Sequence, residues 1–334
     1  MTLETIRENN FRLFRLYALY INERADFISE EMVREVASIG GLTADEAFLL
    51  LLSEACGVHP TDGGDDEAFF NEWLAPSVHP LDPALYRADP YYRNIRFPNV
   101  TDGAWELRVD AYKPYQAFIM DDIRVDDELR ELPPLGYFPE AFEYPVVLQD
   151  GREWMLVTPN EVETIRPAVN ASRGRCVTFG LGLGYYPYLA SLKPDVEHVT
   201  VVERDPAAIR LFNQYILPQF EQGEKIEVVE ADAFDFLEHG MKAGEFDFAY
   251  GDIWHDAGDG VPLYLRMLQY EPKFPGTEFQ YWIEDTMLSY LRWQDYETMP
   301  REVRDPVRWL GNANVKARAR AACLEKYKSL EKLP

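Results

Sequence analysis

Four polar side chains, Asp252, His255, Asp256 and Asp259, fall within eight residues in the segment GDIWHDAGDG. Carboxylates and an imidazole at that density can take a proton from a hydroxyl or an ammonium, as a general base must. Asp252, His255 and Asp256 are the candidates for that role. Asp256 and Asp259 are equally suited to capping a following helix, and a lone histidine is often only a surface residue. Upstream, three glycines stand at Gly180, Gly182 and Gly184 in CVTFGLGLGYYPYLASL. Glycines let the backbone turn sharply and approach a ligand, and a helix starting at Tyr185 would aim its amides at the same point. A dinucleotide-binding loop, G-x-G-x-x-G, needs glycine at position 185, where this chain has Tyr185.

The pattern around these residues alternates strand and helix. A first apolar run, Cys176 to Phe179, leads into the glycine loop and a helix over about Tyr185 to Leu192. A second, HVTVVE, ends at Glu203. Asp205 and Pro206 are suited to the N-cap and first position of a helix running to about Leu217. KIEVVE is the third strand and is followed by Ala231, Asp232 and Ala233. FDFAYGD, the fourth, ends at Asp252, and a helix is expected around Leu263 to Tyr270. TEFQYWIE, after the Pro275-Gly276 turn, is the fifth. Ligands of an open α/β sheet sit at the carboxyl ends of its strands, where the glycine loop, Glu203, Asp232 and Asp252 all fall.

Glycines spaced G-x-G-x-G, with an acid closing the next strand, resemble the first motif of class I S-adenosyl-L-methionine (SAM)-dependent methyltransferases. The resemblance covers roughly residues 144 to 285. It implies an α/β fold with a Rossmann-like sheet and a SAM site formed by Gly180, Leu181, Gly182, Gly184, Glu203, Asp232, Ala233 and Asp252. In that family the residue matching Glu203 accepts from both ribose hydroxyls. The residue matching Asp232 accepts from the adenine amino group, and the amide matching that of Ala233 serves a ring nitrogen. The activity implied is in-line methyl transfer to a small molecule. Amino-methylating members often carry Asn/Asp-Pro-Pro-aromatic after the fourth strand; GDIWHD departs from it and leaves the acceptor atom open.

A second resemblance begins at YPVVLQDGREWMLVT, where Asp150-Gly151 between apolar runs signals a hairpin. Spermidine synthases carry L-D-G at such a turn. The match thins afterwards. Trp154 replaces an expected glutamine, and Asn160-Glu161 stands for a D-E pair without the tyrosine that should follow. Leu183 occupies the place of an aspartate that holds the amine of decarboxylated SAM in that family. An aminopropyltransferase is therefore the second reading and a non-catalytic binding protein the third. An NAD-dependent dehydrogenase trails them because of Tyr185.

The rest of the chain divides into a mainly helical segment (1–104), a β-hairpin region (105–166), the SAM-binding part (167–296) and a helical extension (297–334). Phe11 to Tyr20 is apolar all round, which predicts a helix packed between others. Glu30 to Ser38 is helical, and Thr43 with Glu46 forms a capping box before a third helix. His59 near Asp62, Asp65 and Asp66 lacks the spacing of a metal site and reads as a solvated loop. After Thr286 the pattern stays helical, so the antiparallel strand pair that ends the family sheet is not visible.

With 58 Asp and Glu against 33 Lys and Arg, the net charge is −25. From Arg301 onward nine basic residues face four acidic ones, leaving 24 against 54 before it. Such a surface repels nucleic-acid phosphates and favours a neutral or cationic small substrate, though acidity also simply aids solubility. No run approaches the ~18 apolar residues of a membrane span. Three scattered cysteines fit a reduced, cytoplasmic setting. A homodimer is compatible with all of this.

Overall fold

The computed structural model describes residues 1–298. It forms two compact units that interleave along the chain. One comprises residues 1–86 and 110–144, and the other 87–109 together with the chain from Pro145 onward.

The first unit is built on helices α1 (Leu3–Arg24), α2 (Glu30–Gly40) and α3 (Ala44–Ala55). The Thr43–Glu46 capping box forms in both directions, satisfying two orphan amides at the start of α3. α1 differs from the sequence expectation of a helix covered on all sides. Ile6, Asn10, Leu13, Tyr17 and Tyr20 are its buried stripe, while Phe11 and Leu19 are exposed. The buried set recurs every three or four residues, so it occupies one face of the helix whatever the apolarity elsewhere. Asn10 is satisfied inside: its Oδ1 accepts from Trp73 Nε1 at 2.8 Å and from the Glu131 amide at 3.1 Å, and its Nδ2 donates to the Leu129 carbonyl.

The second unit holds a five-stranded parallel sheet. A hairpin, β1 (Phe142–Gln149) and β2 (Arg152–Leu156), turns through Asp150 and Gly151, both at positive φ, as an Asp-Gly two-residue turn requires. Helix α4 (Pro159–Ala171) then leads into β3 (Gly174–Phe179), α5 (Tyr185–Leu192), β4 (Val196–Glu203) and α6 (Pro206–Leu211). Next come β5 (Ile226–Glu230), β6 (Phe248–Gly251), α7 (Ala257–Leu268), β7 (Glu278–Tyr281) and α8 (Glu284–Thr298). The sheet order is β5-β4-β3-β6-β7, and every pair is parallel. Cys176, Val177 and Phe179 of β3 and Val199, Val201 and Val202 of β4 are fully or almost fully buried. Continuous burial of this kind is what a strand covered by helices on both faces needs. The architecture is α/β and Rossmann-like, as expected.

α7 starts earlier than its apolar run suggested, at Ala257 rather than near Leu263. Asp256 and Asp259 cap it reciprocally, so a start containing two glycines and Pro262 still winds as helix. Gly260 is required there, because a Cβ would stand 2.8 Å from the Trp254 ring. β7 is shorter than TEFQYWIE, and α8 follows it directly. Among the described residues no antiparallel strand pair closes the parallel sheet, and no single helix is long and apolar enough to cross a membrane. The basic C-terminal helix read from the sequence lies outside the described residues.

Candidate active site

Four neighbouring strands release their chains at one level. The Gly180 amide donates to the Val202 carbonyl at 2.9 Å, the Asp252 amide to Phe179 at 2.9 Å, and the Ala231 amide to Glu203 at 3.0 Å. β4 lies on one side of β3 and β6 on the other, so the sheet changes winding direction between β3 and β6. A crevice opens at such a point outside the carboxyl ends of the strands. Here it is a cavity of about 350 Å³. Gly180 sits at φ 99°, and a Cβ on it would lie 1.9 Å from the Asp252 carbonyl oxygen. Only glycine lets the two loops approach this closely.

Two carboxylates stand on the cavity wall. Glu203, at the end of β4, ties down its surroundings: Oε1 accepts from the Arg204 and Asp205 amides at 2.8 Å, and Oε2 from the Leu181 amide at 3.2 Å. Each carboxylate oxygen can accept twice, so Oε2 retains capacity for a ligand hydroxyl. Asp232, just past β5, uses Oδ1 to cap the following turn, accepting from Phe234 at 2.8 Å and Asp235 at 3.2 Å. Its Oδ2 has no hydrogen bond among the described residues. The Ala233 amide, first in that turn, is one of the donors a helix start leaves over.

Asp252 follows β6 and lines both this cavity and a smaller one of about 20 Å³ beneath the glycine loop. Glu161, on the first turn of α4, lines the smaller cavity from the other side. Burial pushes the Asp252 carboxyl up from 3.8 to about 7. Burial, and then the charge of Asp252, push Glu161 well above the ordinary range. The two carboxyls share a low-dielectric space and cannot both ionise cheaply, so near neutral pH the pair holds a proton.

Of the residues read from the sequence, Gly180, Leu181 and Gly182 line the larger cavity together with Glu203, Asp232, Ala233 and Asp252. His255 lines it too, with its amide donating to Asp259 at 3.1 Å and its ring 4.9 Å from that of Trp154. Gly184 and Asp256 are not on the wall. Gly184 precedes α5 in the left-handed conformation, and Asp256 Oδ1 accepts from the Gly258 and Asp259 amides as the cap of α7. Trp254, which the sequence offers as a cation–π partner, lines the cavity, and Glu161, which sequence reading did not place in the site, stands beside it. The Trp254 Nε1 is buried and without an acceptor. Glu161 reaches Asp252 only through the fold, and its one sequence signal was the imperfect Asn160-Glu161 pair. Among the described residues no group of three or more His, Cys, Asp or Glu is placed to hold a metal ion.

No protein-family model matches the chain, and no curated protein does. Among solved structures it is similar to a protein described as an O-methyltransferase from Klebsiella pneumoniae, at 23% identity and a TM-score of 0.23, over 29% of this chain and 43% of that one. It is similar to spermidine synthase from Thermotoga maritima at 14% identity and a TM-score of 0.30, over 40% of this chain and 49% of that one. For a precorrin 8w decarboxylase from Methanobacterium thermoautotrophicum the values are 20% and 0.29, over 39% and 67%. The chain spans less than half the length of the first two.

Proposed function

We propose that this protein transfers the methyl group of SAM to a small neutral or cationic molecule. One observation carries the reading. A single cavity at the switch point of the sheet gathers the glycine loop, a carboxylate closing β4, a second carboxylate past β5 and a third past β6. Its volume is in the range of small-molecule sites. The residues present fit the cofactor: Glu203 Oε2 for the ribose hydroxyls, Asp232 Oδ2 and the Ala233 amide for the adenine edge, and the glycine loop for close backbone approach. When bound, SAM supplies a methyl group already activated on a sulfonium, so the protein need only align a nucleophile and exclude water. Asp252 is the group placed to take the nucleophile's proton on a carboxylate oxygen. A carboxyl that ionises near 7 because it is buried is well matched to that task.

Calorimetric titration with S-adenosylhomocysteine, methylthioadenosine and NAD tests the reading, repeated with Glu203→Ala. The expected result is homocysteine-form binding that falls roughly tenfold or more in the variant, from losing the hydrogen bonds to a charged acceptor. Preference for NAD, or no binding, overturns the reading. Aminopropyl transfer from decarboxylated SAM stands second, favoured by the paired carboxyls of Asp252 and Glu161. Against it, the apolar, buried Leu183 offers no side-chain acceptor for the donor's amine. A preference for methylthioadenosine would promote it.

A further inference from the structure

The glycine loop is made of residues that do not hold a shape by themselves. Gly180, Gly182 and Gly184 all take positive φ, and glycine leaves that region as easily as it enters. Two hydrogen bonds fix the loop from within: the Gly184 amide donates to the Leu181 carbonyl at 2.9 Å, and the Leu181 amide to Glu203 at 3.2 Å. The carbonyl of Leu183, a buried residue, lies outside both. It also lies outside the ladder of α5, whose first bond runs from the Tyr188 amide to the Gly184 carbonyl. A buried backbone carbonyl calls for a donor, and the Tyr91 hydroxyl is that donor.

Tyr91 comes from residues 87–109, which belong to the second unit although the chain on either side of them folds with the first. Its ring is fully buried and meets those of Tyr185 and Tyr188 edge-on at 5.3 and 5.6 Å. The short helix that carries it, Pro90–Asn94, is fastened around the ring. Asp89 caps this helix, accepting from the Tyr91 amide at 2.8 Å, and accepts also from the Tyr185 hydroxyl at 2.9 Å. Asn94 donates to the Tyr188 hydroxyl at 2.8 Å, and Gln219 both accepts from the Arg96 amide and donates to the Arg96 carbonyl at 2.9 Å. The hydroxyl is therefore a fixed point against which the loop is set. Tyr91 lines neither cavity of the site, so it acts on a ligand only through the loop.

We infer that Tyr91 is a positioning residue for nucleoside binding, its hydroxyl holding the glycine loop, through the Leu183 carbonyl, in the shape that admits a ligand against the backbone. The inference rests on the reading of this loop as part of a SAM site. Without the hydroxyl the loop divides its time among several shapes, and affinity falls with the fraction that stays competent. A neutral buried hydrogen bond shifts such a balance about fivefold.

The test uses the full chain as wild type, Tyr91→Phe and Tyr17→Phe. The last removes a buried hydroxyl paired with Ser77 in the first unit and serves as the comparison. Amide hydrogen exchange is followed by mass spectrometry over residues 180–185 without ligand, and S-adenosylhomocysteine is titrated calorimetrically. In Tyr91→Phe, which keeps the ring and its packing, the loop should exchange about fivefold faster and S-adenosylhomocysteine bind about fivefold more weakly. Tyr17→Phe should lower the urea midpoint and leave both readouts at their wild-type values, because a merely structural hydroxyl changes the stability of the fold and not the affinity of folded protein. Wild-type exchange or wild-type affinity in Tyr91→Phe overturns the inference, as does an equal loss of affinity in Tyr17→Phe. A wild type that does not bind S-adenosylhomocysteine removes the methyl-transfer reading instead. The exchange rate of the loop in Tyr91→Phe then decides by itself whether the hydroxyl holds it.

Discussion

Replacing Asp252 by asparagine should stabilise the folded protein at about pH 8 and change little near pH 4. The carboxyl is enclosed, and burial raises its pKa from 3.8 to about 7. A carboxyl whose folded pKa exceeds the unfolded value binds more protons in the native state, so stability falls as pH rises between the two. Below about 4 it is neutral in both states and costs nothing. Across the interval the cost grows, and above about 7 the full cost of a buried charge is present. Three units at about 1.4 kcal/mol each set a ceiling of about 4 kcal/mol. Sharing of the proton with Glu161 makes the cost a property of the pair, so Glu161→Gln should act in the same direction and non-additively with Asp252→Asn. The assay is urea unfolding followed by far-ultraviolet circular dichroism at about pH 4.5, 6 and 8. The variant-minus-wild-type difference is the informative quantity, since it cancels the titration of the many exposed carboxylates. A difference that stays constant across the three values, or a variant less stable than wild type at the highest, would refute the reasoning.

Other outcomes follow from the same geometry. Asp252→Ala should abolish methyl transfer with no loss of stability at neutral pH; turnover at the wild-type rate would remove Asp252 from the mechanism. The rate of transfer at saturating cofactor should rise with pH through about 7, as the carboxyl ionises, in a pH–kcat profile. Gly180→Ala would drive a methyl to 1.9 Å from the Asp252 carbonyl at a φ of 99°. Left-handed strain and overpacking of that size should cost roughly 3 kcal/mol or more in urea unfolding and abolish nucleoside binding.

The parts of the fold legible in the sequence are those fixed by neighbours in the chain. Thr43 and Glu46 sit three residues apart and form their capping box; Asp150 and Gly151 tolerate positive φ and form the hairpin turn. The glycine loop is legible for a related reason, since its three glycines take φ of 99°, 52° and 78°. Glu203 and Asp232 were found because strand ends are readable and a sheet of this kind brings strand ends together. What depends on distant packing was not legible. α4 begins at Pro159, and nothing near Glu161 in the chain says that its carboxyl faces Asp252, 91 positions away. The reason for Gly260, the Trp254 ring standing against it, is visible only once α7 packs on the loop. The interleaving of residues 87–109 with the later part of the chain is likewise a tertiary fact, absent from any window of sequence.

Charge links the site to its ligand more tightly than the overall acidity of the chain does. The net −25 is spread over a solvated surface, where salt screens it beyond about 10 Å. Glu161 and Asp252 lie in a small cavity without a lining cation, so their field is screened far less and acts on whatever occupies the crevice. A sulfonium cofactor brings a positive charge to that field and a neutral product does not. On the proposed function, the ionised pair should therefore favour SAM over S-adenosylhomocysteine, and the protonated pair should lose much of that preference. Leu183 separates this from an aminopropyl donor, because a buried leucine side chain in the same loop supplies no second acceptor for a propylamine chain. The ratio of SAM to S-adenosylhomocysteine affinity should then increase with pH through about 7 in the wild type and stay flat in Asp252→Asn, which calorimetry with both nucleosides measures directly.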